Sequence, residues 1–209
     1  MKGYKQLMSS RSDEWATPGW LFDILNGYFH FDLDPCASAE NHKCEIYYTK
    51  EDDGLAQPWN TRTNGSTVAF VNPPYTHRQA LPWIKKAIAE NKERGVRSLF
   101  LLPARTETKW FWELASNASD VFFIGKRLKF NDGKGGATFP SVLMGIGLSV
   151  AKIPKEIPGI AMDIKSFNPK QEKKKKEIPA ATPALPDIQE RESAYWSDAD
   201  PGDLRDKGY

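Results

Sequence analysis

The chain is poor in cysteine and has no long apolar run. Only two cysteines, Cys36 and Cys44, occur among its 209 residues, and no signal peptide is recognised ahead of them. A disulfide-stabilised secreted protein is therefore disfavoured, and we expect a reduced, cytoplasmic protein. A metal site that combines these cysteines with His42 is not expected, because the spacing matches no standard zinc pattern. No apolar stretch approaches the ~18 residues that a membrane span requires, so no membrane partner is expected.

The charges of the chain are nearly balanced but unevenly distributed. There are 29 Lys and Arg residues against 27 Asp and Glu residues, a net charge of +2. So small a basic excess does not by itself indicate nucleic-acid binding. From residue 166 onward the apolar periodicity ends and a lysine run occupies residues 173–176. We expect a flexible arm over residues 1–12, one domain over 13–165 and a disordered charged tail over 166–209.

Alternating apolar strands and amphipathic helices predict an α/β fold with a doubly wound, Rossmann-like sheet. Thr17 resembles an N-cap, with Pro18 at the first helical position of a helix that ends at Asn26-Gly27. Further helices are expected near His77, over 80–91 and from Thr106. Strands are expected over residues 29–34, 45–49, 68–71, 96–103, 120–130 and 142–150. The last two strands, joined by a glycine-rich loop, predict a terminal antiparallel hairpin at the sheet edge.

The most distinctive stretch follows the expected strand at 68–71 and contains two consecutive prolines: Asn72-Pro73-Pro74-Tyr75. Two prolines fix φ and remove two N–H donors, so the backbone there offers only carbonyls. The stretch lies at the carboxyl end of a strand, where open α/β sheets bind ligands. The Asn72 side-chain oxygen and the Pro73 carbonyl provide two acceptors, and Tyr75 provides an aromatic face. This combination suits a planar amine, although structural prolines after a strand are the plain alternative.

Carboxylates follow two other expected strands. Asp34 ends one strand and is followed by small residues as far as Ala37, so it is a candidate partner for an ammonium group. Beside the next strand, Glu45 is a candidate to bind a ribose and Asp53 a candidate to bind an adenine amine. The structural alternatives are a capped turn at Asp34 and a solvated acidic loop around Asp53.

Six local motifs occur in a fixed order: Trp15-Ala16-Thr17-Pro18, Asp34-Pro35-Cys36-Ala37, Asp53-Gly54-Leu55, Asn72-Pro73-Pro74-Tyr75, Trp110-Phe111 and Arg127-Leu128-Lys129-Phe130. In this order they resemble the phage-type DNA N6-adenine methyltransferase (Dam) family, over roughly residues 12–150. The tetrapeptide is similar to the [DNS]-P-P-[YFW] motif of amino methyltransferases that use S-adenosylmethionine (SAM). The chain departs from the larger bacterial enzymes in two ways: it has no glycine-rich first motif and no separate target-recognition domain.

The resemblance implies a DNA adenine-N6 methyltransferase that uses SAM as cofactor and acts on an adenine flipped out of the duplex. It implies that Asn72 and Pro73 hold the amine and that the base stacks on Tyr75. The catalytic residues implied are Asn72, Pro73, Pro74 and Tyr75. It implies cofactor contacts at Trp15, Thr17, Asp34, Cys36 and Asp53. Without a recognition domain, DNA contacts are expected from the loops around the pocket, at Arg78, Arg127, Lys129 and Lys134.

Two alternatives stay open at this point. One is a methyltransferase that acts on another planar amine, such as cytosine N4, an RNA base or a glutamine amide. The other is a non-catalytic nucleic-acid-binding module of the same fold. The intact Asn72 disfavours the second alternative, because a module without activity does not need that side chain.

Overall fold

A computed structural model describes residues 15–63, 65–75, 79–130 and 137–165. The predicted arm and tail lie outside these residues, as do Arg78, Lys134 and the helix start near His77. The helices are α1 (Gly19–Phe29), α2 (Ala80–Arg94) and α3 (Lys109–Ala115), and the strands are β1 (Leu33–Asp34), β2 (Ile46–Tyr47), β3 (Val68–Val71), β4 (Arg97–Pro103), β5 (Asp120–Ile124), β6 (Ser141–Ile146) and β7 (Gly159–Asp163). Over the described ranges, no helix has the length and apolarity needed to cross a membrane.

The strands form one sheet in the order β2-β1-β3-β4-β6-β5-β7. The first four strands in this order run parallel to one another, and β6, β5 and β7 are each antiparallel to their neighbours. The chain passes from β1 to β2 on one side and then to β3 on the other, so the strand order reverses between β1 and β3. A crevice at the carboxyl ends of these two strands is where ligands bind in such sheets. The predicted α/β fold with a Rossmann-like sheet is therefore confirmed.

The centre of the sheet is covered on both faces. All of β3 is buried, and so is all of β4 except Arg97, which is the pattern of a parallel sheet packed between layers. Phe22 of α1 packs edge-on against Phe70 of β3, with ring centroids 5.3 Å apart. Gly95, with φ +68°, ends α2 in the left-handed conformation, which glycine adopts without steric cost. These elements hold the ends of β1 and β3 in fixed positions.

Several predicted boundaries near the first helix were wrong. Helix α1 continues through Phe29, which was predicted to begin the first strand, and β1 is correspondingly short. The N-cap residue of α1 is Pro18, and its helix start has no side-chain cap within the described part of the chain. The Thr17 hydroxyl instead accepts a hydrogen bond from the distant Asn72 side chain. A long-range partner has therefore replaced the local capping bond that the sequence favoured.

Helix α3 begins later than predicted. Its N-cap is Thr108, whose hydroxyl accepts a hydrogen bond from the Phe111 N–H, so the helix does not start at Thr106. Strands β5 and β6 stop at Ile124 and Ile146, short of the predicted ends. They pair with each other antiparallel, but β7, which the sequence did not predict, lies outside β5 at the sheet edge. The predicted terminal hairpin stays unconfirmed, because most of its connecting loop lies outside the described residues.

Candidate active site

A cavity of about 480 Å³ opens at the carboxyl ends of β1 and β3. Its lining comes from the residues before α1, the turn after β1, the loop after β2 and the tetrapeptide after β3, together with Phe70 of β3 and Trp83 of α2. Because the strand order reverses between β1 and β3, the cavity occupies the crevice expected to bind a ligand. The predicted site residues that line it are Trp15, Thr17, Asp34, Cys36, Asp53, Asn72, Pro73 and Pro74. Folding thus brings together residues that the sequence spreads over four separate motifs.

The Asn72 side-chain amide is hydrogen-bonded at both of its ends. Its Nδ2 donates to the Trp15 carbonyl oxygen at 2.7 Å and to Thr17 Oγ1 at 2.9 Å. Its Oδ1 accepts from the Tyr75 hydroxyl at 2.5 Å. These neighbours fix the orientation of the amide. The Trp15 carbonyl oxygen can only accept, so it would repel the amide oxygen if the amide were reversed.

Tyr75 lies behind the cavity and does not line it. Only 9% of its surface is exposed, and its ring makes edge contacts with Phe130 and Phe139, at centroid distances of 6.3 and 5.6 Å. Burial raises the pKa of the Tyr75 phenol well above its ordinary value, so the hydroxyl stays protonated and can donate. The Leu101 carbonyl oxygen is a second, longer acceptor at 3.3 Å. In this arrangement Tyr75 contributes a hydroxyl to Asn72 rather than an open ring face to the cavity.

Asp34, at the end of β1, is a buried carboxyl group in the wall of the cavity. It is 4% exposed, and its Oδ2 accepts a hydrogen bond from the Lys43 backbone N–H at 3.1 Å. Burial raises the pKa of Asp34 to about 6, against the opposing effect of backbone hydrogen bonds from Lys43 and Cys36. Among the described residues, none of the ion pairs involves Asp34. A buried carboxylate is costly to ionise, and the nearby positive charge of Lys43 offsets this cost only in part, so a cationic group entering the cavity would be stabilised here.

Cys36 contributes a neutral wall to the same cavity. Burial, and next the negative charge of Asp34, raise the pKa of the Cys36 thiol well above its ordinary value. The thiol therefore stays protonated near neutral pH and acts as a small apolar surface rather than as a nucleophile.

The loop after β2 is packed tightly against the turn after β1. A Cβ added at Gly54 would lie 2.0 Å from the Pro35 carbonyl oxygen, so this contact requires glycine. The Trp59 indole N–H donates to the Gly54 carbonyl oxygen at 2.8 Å and holds the loop from the other side. Asp53, which has a left-handed φ of +52°, is thereby placed in the cavity wall.

The structure does not bring Glu45 to this cavity. Glu45 lines a separate depression together with Asp32 and Arg62, which form an ion pair. The cavity is lined instead by Glu51 and by Trp83, neither of which the sequence singled out. Glu51 belongs to the acidic run at 51–53, but nothing in that run distinguishes the residue that faces the cavity. Trp83 lies at helical spacing in α2, where an aromatic residue is indistinguishable from a core residue.

The basic residues predicted to contact DNA lie in part beyond the described ranges. Arg127 and Lys129 are exposed on the segment after β5. The Arg127 guanidinium donates to the Ala137 carbonyl oxygen at 3.2 Å, and the Ala137 N–H donates to the Leu128 carbonyl oxygen at 2.9 Å. These bonds join the two ends of the glycine-rich loop. Lys126, which was not predicted, lies 5.2 Å from the centroid of the exposed Trp20 ring.

The chain matches a known protein family and several known proteins. The family model described as DNA N-6-adenine-methyltransferase (Dam) matches residues 5–176 of the chain. The DNA N-6-adenine-methyltransferase of Haemophilus phage HP1 (strain HP1c1) is 34% identical over 117 residues, which are 55% of this chain and 64% of that protein. The DNA N-6-adenine-methyltransferase of Escherichia phage T1 is 36% identical over 113 residues, which are 54% of this chain and 44% of that protein. The matched part of the chain thus spans less than two thirds of the length of either relative. Since the family model matches well over half of it, the chain belongs to the DNA N-6-adenine-methyltransferase (Dam) family.

Proposed function

We propose that this chain is a DNA adenine-N6 methyltransferase, which transfers a methyl group from SAM to an adenine flipped out of the duplex. The observation that carries the proposal is the position of Asn72. Its side-chain amide is held at the carboxyl end of β3, beside a cavity whose wall contains the buried carboxyl group of Asp34. The names of the phage relatives state the same activity for those proteins.

The cavity fits SAM in size and in chemistry. Its volume of about 480 Å³ lies within the range of about 300–1,000 Å³ that is usual for cofactor sites. The buried Asp34 provides a negative charge suited to the ammonium of the methionine part. Glu51 and Asp53, after β2, are acceptors suited to ribose hydroxyls and an adenine amine, and the Trp83 ring offers a stacking surface. A contact from Glu45 to the ribose stays a prediction that this geometry does not support.

The chemistry needs an amine that is held with its lone pair free. When bound, SAM supplies a methyl group on a positively charged sulfur. Asn72 Oδ1 and the Pro73 carbonyl oxygen accept the two N–H groups of the amine, which leaves the nitrogen lone pair without a hydrogen bond. The Pro73-Pro74 pair keeps this backbone stiff, so the Pro73 carbonyl oxygen is held in place before the amine arrives. A strong base is unnecessary, because the amine loses its proton only after the methyl group has arrived.

Catalysis of this kind consists mainly of positioning. Alignment of two reactants in one site can supply about 7–11 kcal/mol of the barrier. An adenine in a duplex must leave the stack to reach such a site. Stacking on an aromatic residue, for which Tyr75 is the candidate, offsets about 1–3 kcal/mol of the cost of unstacking.

Other planar amines would satisfy the same two acceptors, so cytosine N4 is the main competing substrate. Nucleoside mass spectrometry of DNA from cells that express the protein separates the alternatives, with cells carrying the Asn72→Ala variant as the control. We expect N6-methyladenine with the intact protein and much less of it with Asn72→Ala. N4-methylcytosine, or no modified base, would overturn the proposal and favour one of the alternative functions.

A further inference from the structure

Asn72 can serve the proposed reaction in only one of its two amide orientations. An amide carries one acceptor and two donors, and rotation by half a turn exchanges them. Turned the right way, Asn72 presents its oxygen to an incoming amine. Turned the other way, it presents N–H groups to the N–H groups of the amine, and the hydrogen bond is lost. Something in the structure must therefore select the orientation.

Two groups from the segment before α1 hold one orientation: the Trp15 carbonyl, which can only accept, excludes the reverse orientation, and the Thr17 hydroxyl binds the second N–H. The Trp15 carbonyl oxygen and Thr17 Oγ1 lie 2.7 and 2.9 Å from Asn72 Nδ2, so both N–H groups of the amide are already engaged and the oxygen is left as the group that can accept from an amine. Because the Trp15 carbonyl cannot donate, the reverse orientation would place two oxygens against each other. Thr17 is 3% exposed, so its hydroxyl bonds to Asn72 without competition from bulk water.

The segment that carries these acceptors is itself held in place. The Trp15 ring makes edge contacts with Phe130 and Phe139, at centroid distances of 5.4 and 5.0 Å. Helix α1 begins directly after the segment and buries Leu21 and Leu25. The acceptors are therefore held by the packing of the Trp15 ring and by the start of α1.

We propose that Thr17 and the Trp15 carbonyl are positioning groups that lock the Asn72 side chain with its oxygen toward the target amine. This inference rests on the proposed function, because it assumes that the Asn72 oxygen accepts the amine. It assigns Thr17 a role beyond the cofactor contact that its motif implies. Thr17 does not touch the amine and acts only through Asn72.

Two substitutions separate this role from a cofactor contact. Thr17→Val keeps the shape of the side chain and removes the hydroxyl, whereas Thr17→Ser keeps the hydroxyl and removes a methyl group. The loss of one net hydrogen bond predicts that Thr17→Val lowers kcat by about three- to tenfold, with Thr17→Ser within about twofold of the parent. The Kd for SAM should stay within about twofold in both variants, since the hydroxyl is occupied by Asn72. In an Asn72→Ala background, Thr17→Val should cause no further loss, because the two residues act as one unit.

A second measurement does not depend on activity. The Asn72 side-chain NH2 resonances, assigned by their disappearance in Asn72→Ala, should exchange slowly with water in the parent and in Thr17→Ser. They should shift and exchange faster in Thr17→Val. An inactive parent protein that shows these resonances would overturn the proposed function but support the proposed positioning of Asn72 by Thr17. An unchanged kcat in Thr17→Val, with or without a weaker SAM affinity, would overturn the positioning role of Thr17. It would leave the proposed function standing.

Discussion

The Tyr75 hydroxyl donates a hydrogen bond to Asn72 Oδ1 across 2.5 Å, so the oxygen proposed to hold the amine is engaged by a neighbouring residue. An incoming amine must replace this bond with its own. The exchange is nearly balanced, because one neutral hydrogen bond is lost and one is formed. The Tyr75 ring must also leave Phe130 and Phe139 before it can stack on a base, since only 9% of its surface is exposed.

Substitutions at Tyr75 should separate its hydroxyl from its ring. Tyr75→Phe removes the competing donor and keeps the ring, so kcat/KM should stay within about threefold of the parent. Tyr75→Ala removes the stacking surface, worth about 1–3 kcal/mol, and should lower kcat/KM by about five- to 150-fold. Steady-state kinetics on one DNA substrate would test this, with the exposed Tyr28→Phe on α1 as a matched control. Equal losses in Tyr75→Phe and Tyr75→Ala would contradict a stacking role.

Cofactor affinity should depend on pH through Asp34. Burial raises the pKa of Asp34 to about 6 in the unbound protein, so the carboxylate is present above that pH and is lost as pH falls through it. SAM affinity should therefore decrease below about pH 6, by up to tenfold per pH unit. Pairing with an ammonium lowers the pKa again, so binding near about pH 6 should release a fraction of a proton.

Calorimetric titrations with SAM in two buffers of different ionisation enthalpy would measure the proton release. Asp34→Asn should bind SAM more weakly, with no proton release in this range. Proton release of equal size in Asp34→Asn would show that another group is responsible. The stability of the unbound protein should depend on pH in the opposite direction from SAM affinity. A raised folded-state pKa makes the ionised form costly, so protonation of Asp34 should stabilise the fold as pH falls from about 6 towards 4.

The Gly54 contact should be intolerant of a side chain. Gly54→Ala places a Cβ 2.0 Å from the Pro35 carbonyl oxygen, so the loop after β2 must move away from the turn after β1. We expect a loss of about 1–3 kcal/mol in the free energy of unfolding and a weaker affinity for SAM. Gly27→Ala is the matched control, because a Cβ there meets nothing within 4 Å. Alanine in that helical position should be neutral or stabilising by up to about 1 kcal/mol. Thermal melts and SAM titrations of both variants would test this, and a neutral Gly54→Ala would contradict the packing argument.

DNA binding is predicted to involve the basic segment after β5. Lys129→Ala should weaken binding to all sequences modestly and reduce the slope of log affinity against log salt by about 0.9, as the loss of one phosphate contact should. Arg127→Ala should do the same and also loosen the loop, because the guanidinium holds the Ala137 carbonyl oxygen. Lys92→Ala is the control, since this exposed residue lies at the end of α2 that leads into the amino end of β4, away from the cavity. Unchanged salt slopes in both test variants would mean that DNA approaches another face.

The sequence revealed the parts of the site that are local and not those that depend on distant contacts. Asp34 and Asn72 were predictable because Asp34 ends one strand and Asn72 directly follows another, and strand ends converge on the crevice of a doubly wound sheet. Thr17 was misjudged because its sequence neighbours favour a helix cap, whereas its actual partner lies 55 residues away.

The other differences between the sequence-based predictions and the structure have similar causes. Strand β7 was missed because its exposed residues, including Ile160 and Met162, show no clear alternation, and only pairing with β5 makes them a strand. Trp83 and Glu51 acquire significance only when α2 and the loop after β2 are placed beside the cavity. In each case tertiary context supplied information that the local pattern does not contain.

The central claim is that Asn72 holds an adenine amine for methylation, and one measurement with purified protein tests it most directly. Duplex DNA is incubated with the protein and with SAM that carries a deuterated methyl group, then digested to nucleosides and analysed by mass spectrometry. We predict N6-methyladenine bearing the deuterated methyl group, formed about 10²-fold more slowly by Asn72→Ala although that variant still binds SAM. Label on another base, no label at all, or an undiminished rate in Asn72→Ala would contradict the account.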